Sequence, residues 1–141
     1  DQVIGYWPGR PKPSPEAQNP EAALGVPDPD ADHDETLGVT LGCRGTLAVA
    51  FRRIALYDGP GADLHIFEVG DDVEQMAIEV SSDGQAWIPV GEVRGQPASI
   101  DFAGTAATGS YRYVRITDRG KHCDSEWPGA DIDAVGAINA R

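Results

Sequence analysis

Ile78-Glu79-Val80-Ser81-Ser82-Asp83-Gly84-Gln85-Ala86-Trp87 is the stretch on which the fold turns. Ile78 and Val80 share one face of a strand, because side chains alternate with a period of two. Ser82-Asp83-Gly84 is turn chemistry, with glycine supplying the backbone freedom that a tight reversal needs. Trp87 follows the turn, where its bulk marks it as a core residue. Later in the chain, Tyr113-Val114-Arg115-Ile116-Thr117 repeats the alternation, with Val114 and Ile116 pointing one way and Tyr113 and Arg115 the other. Strands with one dry face and one wet face need a second sheet over the dry one, which a β-sandwich provides.

Outward from these strands, short β-rich segments are expected at Val39–Leu41, Thr46–Phe51, Ile54–Tyr57, Leu64–Val69, Met76–Ser81, Trp87–Val93, Ser99–Phe102, Tyr111–Thr117 and Ile132–Ile138. Between them stand turn sequences such as Asp58-Gly59-Pro60-Gly61, Arg94-Gly95-Gln96-Pro97 and Trp127-Pro128-Gly129. Strands at this spacing mean an all-β sandwich or jelly roll. Asn19-Pro20-Glu21-Ala22-Ala23-Leu24-Gly25 predicts one short helix, with Asn19 as N-cap, Pro20 first and Gly25 as the stop. Ile4 to Pro15 is Pro-rich and should run extended along the surface. There is no internal repeat and no sign of a second domain, so residues 1–141 are expected to fold as one unit.

The hairpin stretch, taken with Tyr111-Arg112-Tyr113-Val114-Arg115-Ile116, resembles the central hairpin and a late strand of discoidin-type, galactose-binding-like jelly rolls. A second resemblance spans nearly the whole chain. Ala23-Leu24-Gly25-Val26-Pro27-Asp28, Leu41-Gly42-Cys43-Arg44-Gly45-Thr46-Leu47, Asp58-Gly59-Pro60-Gly61-Ala62-Asp63, Ile66-Phe67-Glu68 and Gly129-Ala130-Asp131-Ile132-Asp133-Ala134-Val135-Gly136 are similar to a family of bacterial cell-surface modules. Those modules occur in exported proteins, some attached to OmpA-like outer-membrane proteins. The resemblance implies export and calcium, and it names no ligand.

Charge narrows the possible partners. Twenty-three acidic residues against 11 Lys and Arg give a net charge of −12, which repels phosphate backbones and anionic lipid headgroups. Nucleic acid and membrane insertion are therefore not expected, and no apolar run is long enough to cross a bilayer. The chain begins with Asp rather than Met, as a processed product or an excised domain of a larger exported protein would. Cys43 and Cys123 form no CxxC pair. They are read as one disulfide, implying a secreted, periplasmic or cell-surface location, with two buried thiols as the alternative.

Several acidic constellations suit a hard cation, which takes six to eight oxygen ligands. Asp58-Gly-Pro-Gly-Ala-Asp63 brings two carboxylates together around a turn, with Glu68 just beyond, although Asp is also a common turn residue. Asp131 and Asp133 lie at i and i+2 on one strand, about 7 Å apart on the same face. Their repulsion calls for a shared Ca2+ ion, an Arg partner such as Arg115, or exposure at the strand end. The expected calcium ligands are thus Asp58, Asp63, Glu68, Asp131 and Asp133. Asp28, Asp30, Asp32 and Asp34 form a candidate second ion site, with a hydrated acidic loop as the alternative, since the EF-hand glycine and glutamate are missing.

For a ligand, Tyr6, Trp7 and Trp127 are large rings in loop-like segments, with Arg119 and His122 among the polar groups that could join them. Rings that stack on C–H patches beside polar groups that bond hydroxyls are what a carbohydrate or cell-surface glycan requires. A calcium-stabilised adhesive spacer with no small-molecule ligand is the competing reading. Catalytic residues are not expected. No GxSxG, HExxH or phosphate loop is present, and pairs such as Asp124 and Glu126 arise easily in so acidic a chain.

Overall fold

The computed structural model describes residues 1–28, 35–70 and 72–141. Two antiparallel sheets enclose one core. The strands are β1 (Gln2–Trp7), β2 (Val39–Thr40), β3 (Thr46–Ala50), β4 (Leu56–Tyr57), β5 (Leu64–Glu68) and β6 (Met76–Ser81). They continue as β7 (Ile88–Val93), β8 (Ala98–Ile100), β9 (Ser110–Tyr111), β10 (Tyr113–Asp118) and β11 (Asp131–Ala137). The larger sheet has the order β1-β3-β10-β6-β7, the smaller β2-β11-β5-β8, and β4 pairs with β9 in a separate ribbon. Leu47, Val49, Ile78, Val80, Val114 and Ile116 of the first sheet pack with Leu64, Ile66, Ile100 and Ile132 of the second. This is the all-β jelly-roll sandwich that the strand pattern requires.

The stretch from Ile78 to Trp87 forms the β6–β7 hairpin. Asp83 Oδ1 accepts the Gln85 and Ala86 N–H groups at 2.8 and 2.9 Å, and Ser81 Oγ accepts Gly84 N–H at 2.9 Å. Gly84 holds φ +75°, a conformation that costs glycine little. Trp87 departs from expectation. It is half-buried on the outer face of the sheet, with the Arg115 guanidinium 4.4 Å from its ring centroid.

Three further differences shape the molecule. The N-terminal segment is an edge strand, β1, paired with β3 through a bulge between Val3 and Gly5. The Asn19–Gly25 segment contains a single turn of 3-10 helix at Pro20–Ala23, and Asn19 makes no side-chain cap bond. Comparable turns occupy Pro15–Ala17 and Glu35–Leu37. The expected strand Tyr111–Thr117 divides at Arg112, because Ser110–Tyr111 pairs with β4 while Tyr113–Asp118 enters the large sheet.

Cys43 and Cys123 form a disulfide with a sequence separation of 80. It ties the turn before β3 to the long loop between β10 and β11. No helix among the described residues is long and apolar enough to cross a membrane.

Candidate functional site

Two places gather chemistry: the outer face of the large sheet, and the end of the sandwich where β5 stops and β11 begins. On the sheet face, cross-strand register aligns Gly5, Ala48, Arg115, Glu79 and Pro89 on one rung. The next rung aligns Trp7, Thr46, Thr117, Ala77 and Glu92. Residues on a rung share a face, so these side chains meet above the sheet. They leave an open groove of about 380 Å³ lined by Trp7, Thr46, Glu79, Arg115 and Thr117.

Each wall of the groove is built from local contacts. Trp7 is 58 % exposed, and its ring lies where a side chain at Gly5 would stand. A Cβ on Gly5 would be 2.1 Å from Trp7 Cη2. The opposite wall is Arg115, whose Nε donates to Glu79 Oε2 at 2.6 Å while the guanidinium stacks on Trp87. Between the walls, the hydroxyls of Thr46 and Thr117 meet at 3.2 Å. Ala48, on the rung between Trp7's side and Arg115, is buried in the floor.

The strand end is acidic. Glu68 closes β5 with no solvent exposure, Glu74 precedes β6 at 4 % exposure, and Asp131 opens β11. Glu68 Oε2 accepts the Glu74 N–H at 3.2 Å, and Glu74 Oε1 meets His122 Nδ1 at 3.2 Å. Glu68 Oε1 and Glu74 Oε2 are buried with no hydrogen-bond partner. Burial pushes the Glu68 carboxyl up to about 9, with the neighbouring charges of Glu74 and Asp131 acting in the same direction. Burial also raises Glu74, against the lowering influence of the neighbouring Glu68 carboxyl and of His122. Tyr6 donates to the Thr40 carbonyl at 2.7 Å, and its phenol is pushed up to about 12, first by burial and then by Asp131.

The structure divides the expected calcium ligands. Asp58 and Asp63 precede β5, whereas Glu68 ends it, so the two groups are separated by roughly 16 Å of strand. Asp131 pairs with the Glu68 end. Asp63 is buried and accepts three N–H groups, from Gly59 at 2.8 Å, Phe102 at 2.7 Å and the Asn139 amide at 2.8 Å. One of its carboxylate oxygens lies within 4.8 Å of one from Asp58 and one from Asp101, which the sequence reading did not single out, and those two are exposed. Asp131 accepts the Thr40 hydroxyl, whereas Asp133 accepts the Asp28 N–H at 2.9 Å. The cause is a bulge between Ile132 and Ala134, because an extra residue breaks the strict alternation. Arg115, the suggested partner of this pair, is bound to Glu79 instead. Asp30, Asp32 and Asp34 lie outside the described residues.

Among the expected ligand residues, only Trp7 lines the groove. Tyr6 turns inward to Thr40, and Trp127 is half-buried in the β10–β11 loop. Arg119 pairs with Glu92 at 3.0 Å, and His122 is held by Glu74. The sequence reading passed over Thr46, Glu79, Thr117 and Glu74. The first three are legible as outward positions of alternating strands. Glu74 sits in a loop and carries no such signal.

No protein-family model and no curated protein matches the chain. Among solved structures it is similar to a pectin-binding carbohydrate-binding module, at 12 % identity and a TM-score of 0.56, over 98 % of this chain and 88 % of that one. It is also similar to the CBM32 module of AlyQ, solved with 4,5-unsaturated mannuronic acid, at 15 % identity and a TM-score of 0.56, over 97 % and 92 %. At these identities the likeness establishes the shared jelly-roll sandwich fold.

Proposed function

We propose that this chain is a non-catalytic glycan-binding module of a larger exported protein, with its sugar contacts on the outer face of the large sheet. The observation that carries this reading is the exposed Trp7 indole, which faces the Arg115–Glu79 pair across a floor containing two threonine hydroxyls. An aromatic face takes the C–H patches of a sugar ring, while fixed donors and acceptors take its hydroxyls. The fold supports the reading, since two of the similar structures are carbohydrate-binding modules by name. The disulfide supports export to an oxidising compartment.

Calcium belongs to the same proposal, at a revised address. Glu68 and Glu74 would hold the ion at the acidic end, with Asp131 contributing negative charge. Two buried carboxylate oxygens without partners fit the hard-oxygen donors that calcium prefers. The ion would supply structural cross-linking there and no reaction chemistry.

Affinity electrophoresis of the disulfide-intact protein through gels containing individual polysaccharides tests the module reading. Retardation by at least one polysaccharide, lost in Trp7→Ala, is the expected result. Uniform mobility in every gel rejects glycan binding and leaves a calcium-stabilised spacer.

A further inference from the structure

We infer that the groove on the large sheet selects uncharged glycan chains and rejects polyuronates, an inference that rests on the glycan-binding reading above. It runs against simple analogy, because one similar module is named as pectin-binding and another was solved with an unsaturated mannuronic acid.

The electrostatics of the groove decide the matter. Among the described residues Arg115 is the only cation lining it, and its Nε already meets Glu79 at 2.6 Å. At the margin, on the rung of Trp7 and Thr117, Glu92 meets Arg119 at 3.0 Å. Arg115 and Arg119 therefore each stand beside a carboxylate. A uronate carboxyl approaching Arg115 would have to approach Glu79 as well, and like charges at such range repel. The rest of the molecule adds to this, with a net charge of −12 that lowers the local concentration of any polyanion.

The same groups suit neutral hydroxyls. A guanidinium carries five N–H donors, of which only Nε is used within the protein among the described residues on this face. Glu79 supplies acceptor lone pairs beside them. Thr46 and Thr117 add two hydroxyls that both donate and accept. A sugar hydroxyl also donates and accepts, so this row satisfies it without demanding net charge. Gly5 completes the design by leaving room for the Trp7 ring to lie against the sheet. An open groove crossing several strands fits a chain of sugars rather than one enclosed ring.

The test uses the intact protein against two panels, neutral polysaccharides (a glucan, a mannan, a galactan and a xylan) and polyuronates (polygalacturonate and alginate), each at low and high salt. At least one neutral chain should bind with an affinity that salt leaves nearly unchanged, and the polyuronates should not bind. Gly5→Val keeps a strand-compatible residue while displacing the indole, and should weaken neutral binding about tenfold or more. Glu79→Gln frees the Arg115 charge and should create salt-sensitive polyuronate binding that the parent protein lacks. Circular dichroism of both variants separates loss of binding from loss of fold. Salt-sensitive binding of a polyuronate by the parent protein overturns the inference while leaving glycan binding intact. Neutral binding that survives Gly5→Val in a folded variant also overturns it, by moving the site elsewhere. Failure of every polysaccharide to bind rejects the glycan reading itself.

Discussion

At Asp63 a carboxylate with no solvent exposure gathers three N–H groups from Gly59, Phe102 and Asn139. It knots the Asp58–Asp63 turn to the residues that follow β8 and β11. Removing it strands three donors, and a lost hydrogen bond to a charged group costs about 1.5–3 kcal/mol each before relaxation. Asp63→Ala should therefore destabilise the protein by about 3 kcal/mol or more, read from the urea midpoint at constant m-value. Glu68 makes a prediction of a different kind. Its carboxyl is raised from 4.5 to about 9 in the folded protein, so between those values the folded state holds a proton that the unfolded chain has released. With ν_N above ν_U, unfolding free energy falls as pH rises through that window. In the presence of chelator, the parent protein should thus lose stability relative to Glu68→Gln as pH increases. A difference that stays constant with pH would contradict this assignment.

Among the elements, β1 and the β10–β11 loop matter most. The edge strand β1 places Trp7 opposite Thr46 and thereby creates one wall of the groove. The long loop is anchored by the Cys43–Cys123 bond and by Asp118, which accepts the N–H groups of Arg44 at 2.8 Å and Gly120 at 2.7 Å. A cross-link over a separation of 80 residues restricts the unfolded chain by about 4 kcal/mol in the chain-entropy model. The double variant Cys43→Ser, Cys123→Ser should lower stability by about that amount in denaturant unfolding. The His122–Glu74 contact lies next to this bond in sequence, so the proposed calcium affinity should fall in the same variant.

For the whole molecule, the two ends of the sandwich are built differently. One is closed by the Asp63 hydrogen-bond knot, and the other buries Glu68, Glu74, Asp118 and Asp131. Glu68 Oε1 and Glu74 Oε2 are buried there with no hydrogen-bond partner; such orphaned acceptors destabilise the native state, and a cation bound to them would stabilise it by mass action. Calcium should raise the thermal midpoint relative to chelator, and the double variant Glu68→Gln, Glu74→Gln should melt at one temperature in both conditions. A midpoint that calcium leaves unmoved in the parent protein removes the ion from this end.

The sandwich was legible in the chain because alternation is local. Ile78, Val80, Val114 and Ile116 announce their faces through neighbours two positions away, and Ser81-Ser82-Asp83-Gly84 announces its turn in the same way. The edge strand β1 was hidden, since its pairing partner is remote and the bulge at Val3–Gly5 blurs its period. The acidic residues were visible as residues and invisible as a site. Five residues of β5 carry Asp63 and Glu68 to opposite ends, and a bulge beside Asp133 gives it a different partner from Asp131. Trp87 was expected in the core because bulk suggests burial, but the register of β10 put Arg115 over its ring. Sequence by itself determined the layered all-β architecture and the disulfide-capable cysteines. Only the tertiary structure decided which charges face each other, because strand pairing between distant segments sets side-chain register and no local pattern encodes it.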